Sequence, residues 1–166
     1  MAVDACMEEY GRIDILINNV GRSELGGPAE MTEKVWDAQT NVNLKSVYLC
    51  CHHILPLMET QGGGAVINVA SIAGLRYIGK PQVAYAATKA GVIQFTKATA
   101  VIYAAKNIRM NVVVPGLMHT PLAVPMGKMG DSFDVAMTAV FLASEQARYI
   151  TGQKIVVDGG ITSSTG

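Results

Sequence analysis

Ala65-Val66-Ile67-Asn68-Val69-Ala70-Ser71 is the stretch on which the fold turns. It is short, almost unbroken in its apolar character and rich in β-branched residues, which reads as a strand buried on both faces. Gly62-Gly63-Gly64 just before it reads as the turn from a helix into that strand. Three more runs of the same kind occupy residues 13–18, 109–115 and 154–158. Between the four runs lie helical patterns over residues 32–60, 81–106 and 132–144. Thr32 and Ser132 are the expected caps, ahead of Glu33 and Asp134. Strand and helix in alternation predict a parallel sheet, joined by right-handed crossovers with helices on both faces. The expected fold class is therefore α/β, an open doubly wound layer of about four strands. No linker, repeat or low-complexity tract divides it, so residues 1–166 read as a single domain.

Bulk composition narrows the function. The chain has 166 residues, half of them apolar, with 13 basic and 13 acidic side chains. A net charge of zero and the lack of any Lys/Arg run speak against nucleic acid or a membrane surface as partner. Residues 1–11 carry Asp4, Glu8 and Glu9 and do not read as a secretory signal, and no apolar run is long enough to span a bilayer. Cys6, Cys50 and Cys51 are odd in number, two of them adjacent, which suits a reducing compartment and makes cytoplasmic the expected location. Cys50-Cys51-His52-His53 contains metal-ligand residue types, but four consecutive helical residues fan around the axis and do not converge on one ion, so no metal is expected. Trp36 and the nine methionines read as packing residues, and His119 as a loop histidine.

In a sheet of this kind ligands bind beyond the carboxyl ends of the strands. The residues there are Asn18-Asn19-Val20-Gly21, Ala70-Ser71 and Pro115-Gly116-Leu117-Met118-His119-Thr120. Fourteen residues after Ser71 comes Tyr85-Ala86-Ala87-Thr88-Lys89, which places a phenol and an ammonium one helical turn apart on one face. A fixed positive charge favours the ionised form of a neighbouring acid, so such a pair can deliver or accept a proton at a carbonyl or an alcohol. Taken singly, each of these residues has a plainer reading: an exposed helix face for the pair, a loop-capping hydroxyl for Ser71, a polar helix residue for Asn43.

Together, in order and spacing, they resemble the short-chain dehydrogenase/reductase family over nearly the whole chain. Asn18-Asn19-Val20-Gly21 is similar to that family's Asn-Asn-Ala-Gly turn, and Val42-Asn43-Leu44 to the helix of its catalytic asparagine. Ile67 to Ser71 resembles the strand of the catalytic serine, and Tyr85 with Lys89 the Tyr-x-x-x-Lys pair. Residues 108–116 and 149–160 resemble the last two strands and their turns. The resemblance implies a Rossmann-like fold and hydride transfer between a carbonyl or alcohol and NAD or NADP. It implies Asn43, Ser71, Tyr85 and Lys89 as catalytic residues, and Asn19, Gly21, Tyr85, Lys89, Pro115, Gly116 and Thr120 as cofactor contacts. Tyr85 would move the proton, Lys89 would favour the tyrosinate and hold the nicotinamide ribose, and Ser71 would donate to the substrate oxygen. Asn43 would hold a water in the proton path, while Asn18 would fix the turn between strands. A small-molecule carbonyl or alcohol is the implied substrate, and a homo-oligomer through the helices at 32–60 and 82–106 the implied assembly.

Two departures from the family pattern are legible. No Gly-x-x-x-Gly-x-Gly turn follows an N-terminal strand, so a βαβαβ half of roughly 60 residues or more has no counterpart and the domain reads as partial. Residues 120–125 are short for a substrate lid. The run at 13–18 is then expected to be a bare sheet edge prone to pairing. Two alternatives stand beside the enzyme: a catalytically impaired relative that serves only as an oligomerisation partner, and an incomplete gene model.

Overall fold

Side-chain parity in the two central strands organises the molecule. The computed structural model describes residues 2–118 and 124–164. Strands β1 (Ile15–Asn18), β2 (Gly64–Val69), β3 (Ile108–Pro115) and β4 (Lys154–Val157) pair in parallel in the order β1-β2-β3-β4. Val66, Met110, Val112 and Val114 point to one face, where they pack with helices α3 (Ser46–Thr60) and α4 (Val83–Tyr103) around Cys51, Ile54, Met58 and Val92. Ile67 and Val113 point to the other, where α5 (Ser132–Ala143) covers them with Ala139 and Leu142. The period of two thus builds two cores, one on each side of a single sheet.

The helix expected over 32–60 is one rod in three parts: α2 (Glu33–Thr40), a π-turn (Asn41–Lys45) and α3. Thr32 caps it by accepting from the Val35 amide at 3.4 Å, as expected. The cap of α5 is different. Asp131, not Ser132, accepts from the Phe133 and Asp134 amides, and the Asp134 carboxylate accepts from the Asp131 amide in return. A carboxylate outcompetes a hydroxyl at the positive end of a helix, so the aspartate takes the cap and the serine becomes the first helical residue. Helix α1 (Ala2–Tyr10) precedes the sheet, touching the core through Val3.

Two expectations change. β1 is not buried on both faces: Ile15 and Ile17 are half exposed, at 48 % and 50 %. They share a face with Ile67 through the Ile17–Ile67 register, and α5 on that face packs chiefly against β2, β3 and β4. The crossovers also differ in hand. The strands step in one direction while α3 and α4 lie on one face and α5 on the other, so the third crossover has the hand opposite to the first two. The sixteen-residue stretch from Gly116 to Asp131 before α5 gives the chain the length to pass round to the face that α3 and α4 leave uncovered.

Buried polar groups tie the layers together. Asn18 donates to the Asn68 side chain at 2.8 Å, which in turn donates to Thr96 of α4 at 2.8 Å. Arg109 of β3 reaches the open end of α5 and donates to the carbonyls of Leu142, Ala143 and Ser144. These are the acceptors a helix leaves without partners in its last turn.

Candidate active site

The ends of β1, β2 and β3 and the first turns of α4 each deliver one wall of a common cleft. Asn19, Gly21, Arg22 and Ser23 come from the loop after β1, Val69, Ala70 and Ser71 from the end of β2, Tyr85 and Lys89 from α4, and Pro115 and Gly116 from the end of β3. The cavity they enclose is about 270 Å³, near the lower limit of ordinary ligand sites. Of the residues expected from the sequence, Ser71, Tyr85, Lys89, Asn19, Gly21, Pro115 and Gly116 all line it. Thr120 lies outside the described residues, as does much of the short lid at 120–125.

Lys89 is the electrostatic centre. It is 3 % exposed, and its ammonium donates to the Val69 carbonyl at 2.9 Å, its one hydrogen-bond acceptor among the described residues. Burial lowers its pKa from 10.5 to about 8, since a low-dielectric surrounding penalises the charged form. Its Nζ lies 5.6 Å from the Tyr85 ring centroid, close enough for the ring to feel the charge. Tyr85 is half-buried, and its hydroxyl has no hydrogen-bond partner among the described residues. Ser71 does cap the turn that follows it: its Oγ accepts from the Ala73 amide at 3.2 Å. That bond uses a lone pair and leaves the hydroxyl proton available to an acceptor in the cleft.

Asn43 is reached differently from the way the sequence suggests. It is fully buried in the π-turn, where its Oδ1 accepts from the Arg22 amide at 2.8 Å. Its Nδ2 donates to the Arg22 carbonyl at 2.9 Å and to Thr88 Oγ1 at 3.2 Å. The side chain is thereby committed to holding the loop after β1, and Asn43 stands behind the cleft and does not line it. Thr88, also buried, links this amide to the helix of the pair by donating to the Tyr85 carbonyl at 2.9 Å. Arg22 and Ser23, which line the cleft, and Thr88, which braces it from behind, are residues that the sequence did not single out. Thr88 lies inside the Tyr85 to Lys89 run but one turn position away from the face that drew attention, and the other two carry no spacing signal at all.

Two glycines of the cleft are explained by close packing. A Cβ at Gly21 would come within 3.2 Å of Lys89 Nζ and 3.3 Å of Asn43 Oδ1. A Cβ at Gly116 would meet the Asp158 Cβ at 2.6 Å. The buried ammonium with spare donors and two hydroxyls in one cleft suit the ribose and nicotinamide end of a dinucleotide.

Comparison with known proteins settles the family. The family described as short chain dehydrogenase matches residues 1–131, and one described as enoyl-(acyl carrier protein) reductase matches residues 123–162. The chain belongs to the short-chain dehydrogenase/reductase family. It is similar to a 3-oxoacyl-[acyl-carrier-protein] reductase from Thermotoga maritima, 40 % identical over 96 % of this chain and 70 % of the relative. It is likewise similar to a 7alpha-hydroxysteroid dehydrogenase from Bacteroides fragilis, 42 % identical over 94 % of this chain and 67 % of the relative. A crystal structure from Burkholderia xenovorans, assigned to the short-chain dehydrogenases/reductases, superposes with a TM-score of 0.96 at 48 % identity, covering 99 % of this chain and 70 % of the other. Membership makes this short-chain dehydrogenase/reductase an oxidoreductase whose chemistry interconverts carbonyl and alcohol with a nicotinamide dinucleotide, and its α/β sheet is that of the family.

Proposed function

We propose that Tyr85, Lys89 and Ser71 carry out a carbonyl–alcohol interconversion on a small molecule in the cleft at the carboxyl ends of β1, β2 and β3. The observation that carries this reading is the convergence of four separate chain segments on one cavity lined by both hydroxyls and the buried ammonium. NAD or NADP, when bound, supplies or takes the hydride. Tyr85 gives the proton to the substrate oxygen in the reductive direction and removes it in the oxidative one. Ser71 donates its free hydroxyl proton to the same oxygen, where negative charge develops in reduction. Lys89, held in place by the Val69 carbonyl, keeps a positive charge next to the Tyr85 ring and offers its remaining donors to the ribose. Gly21 lets Lys89 and Asn43 pack close to the loop, and with Asn19, Pro115 and Gly116 it forms the walls that would face the sugar.

The same reading includes a cytoplasmic location and a homo-oligomer through the helices at 32–60 and 82–106, whose surfaces expose Tyr48, Leu49, Val101 and Ile102. No helix among the described residues is long and apolar enough to cross a membrane. The test is NAD(P)H-dependent turnover over a panel of carbonyls and alcohols. Tyr85→Phe should lower kcat by about 10²-fold or more, the range for loss of a positioned acid–base group. A Tyr85→Phe variant that keeps wild-type turnover overturns the proposal.

A further inference from the structure

We propose that Gln82, through Ser23, is a positioning residue that latches the loop after β1 to the start of the helix bearing Tyr85 and Lys89. The inference rests on the reading of the cleft given above and adds to it the device that sets the cleft's width.

Gln82 stands three residues before Tyr85, at the N-terminal boundary of α4, and is 8 % exposed. A polar side chain this buried needs a partner, and its Oε1 accepts from Ser23 Oγ at 2.9 Å. Ser23 itself lines the cleft, two residues beyond Gly21. The main chains are joined at the same place. The Gly26 amide donates to the Pro81 carbonyl at 2.7 Å and the Val83 amide to the Gly26 carbonyl at 3.3 Å, an isolated parallel bridge between Gly26 and Gln82.

The loop has two other buried anchors. Asn43 holds Arg22 by its amide and its carbonyl, and Gln39 Oε1 accepts from the Glu24 amide at 3.0 Å. Both come from the α2 rod and fix the loop to that side of the molecule. Among the described residues Gln82 makes the direct side-chain bond from this loop to the start of α4, while Asn43 reaches that helix further along, through Thr88. The Ser23–Gln82 bond therefore sets how far the Ser23 end of the wall stands from Tyr85. With the bond made, the acid–base pair and the opposite wall form one rigid unit. With it broken, the restraint falls to the Gly26 bridge and to Asn43 between Arg22 and Thr88, and a displacement on the order of 1 Å at a reacting centre costs about 10²-fold in rate.

The experiment combines native-state hydrogen exchange with a double-mutant cycle. In Ser23→Ala and in Gln82→Leu the amides of Gly26 and Val83 should exchange on the order of 10-fold faster than in the wild type. Each substitution should lower kcat by roughly 10-fold to 10²-fold, and weaken dinucleotide affinity, read by nicotinamide fluorescence, by a smaller factor. The double variant should be no worse than either single one, because both remove one and the same bond. Gln82→Glu, which keeps an acceptor for the serine hydroxyl, should recover most of the loss. Unchanged exchange at Gly26 and Val83, additive effects on kcat, or a loss of kcat that merely follows a loss of thermal stability would each overturn the latch. If Tyr85→Phe retains full turnover, the reading of the cleft fails separately, and hydrogen exchange still decides whether the latch exists.

Discussion

Replacing Lys89 with methionine should stabilise the fold while abolishing the proposed chemistry. The ammonium is 3 % exposed and has one carbonyl acceptor, so folding strips most of its water without full replacement. The fall in its pKa from 10.5 to about 8 measures that cost. At ~1.4 kcal/mol for each tenfold change in the ionisation equilibrium, the charged form destabilises the folded state by about 3 kcal/mol. Methionine has a similar length and no charge, but it leaves the Val69 carbonyl without its donor, which returns about 1 kcal/mol. A net gain of about 2 kcal/mol at pH 7 follows. The folded pKa lies below the unfolded one, so the penalty is absent above pH 10.5, grows as the pH falls from 10.5 to about 8, and is complete below that. Urea denaturation of both chains between pH 7 and 10.5 reads this directly, since every other titrating group is common to both and cancels in the difference. The advantage of the variant should shrink through that window, pass through zero where the remaining penalty equals the lost bond, and become a deficit of about 1 kcal/mol near its top. A difference that stays flat with pH, or a variant less stable than wild type at pH 7, would refute the burial of a charged Lys89.

Other substitutions probe the scaffold around the cleft. Arg109→Met removes three charge-assisted bonds from the end of α5 and should cost about 2 kcal/mol in the urea transition, and an unchanged midpoint would show that the carbonyls are satisfied without it. The Cys51 thiol is buried and pushed up to about 12 by that burial, whereas Cys50 is exposed. Iodoacetamide at pH 8 should therefore modify Cys50 and spare Cys51 until the chain is unfolded, and equal labelling of the two by tandem mass spectrometry would contradict the packing of α3. Ile17→Lys places a charge on the half-exposed edge strand and should reduce concentration-dependent light scattering. Scattering equal to that of the wild type would locate self-association elsewhere.

The sequence made the sheet legible because buried parallel strands are continuous apolar runs, and residues 65–71 show that pattern without ambiguity. Ser71, Tyr85 and Lys89, which the sequence groups, line one cleft in the structure, because strand ends and a four-residue helical offset are local features. What it missed depends on contacts between distant segments. The edge exposure of Ile15 and Ile17 follows from where α5 comes to rest, and no periodicity within residues 13–18 encodes that. Asp131 took the cap from Ser132 because the neighbouring Asp134 could complete a reciprocal pair, a competition decided by one residue of register. The partnership of Asn43 with Arg22, 21 residues away, is invisible to any reading of spacing alone.

These misses bear on how robust the chemistry is. Ser71, Tyr85 and Lys89 all lie within the continuous unit from β2 through α4, and Lys89 bonds back to the Val69 carbonyl of that same unit. Its geometry is set by helix-on-sheet packing around Val66, Val92 and Ala100, all fully buried. The opposite wall, by contrast, is a loop following the edge strand, held by the side chains of Asn43, Gln39 and Gln82. The proton-handling half of the cleft is therefore protected by the core, while the half that admits the sugar depends on three amides. A perturbation at β1 should weaken dinucleotide binding before it disturbs Lys89, and the pH dependence of stability described above should survive Ile17→Lys unchanged. A loss of that pH dependence in Ile17→Lys would mean that the two halves are one cooperative structure.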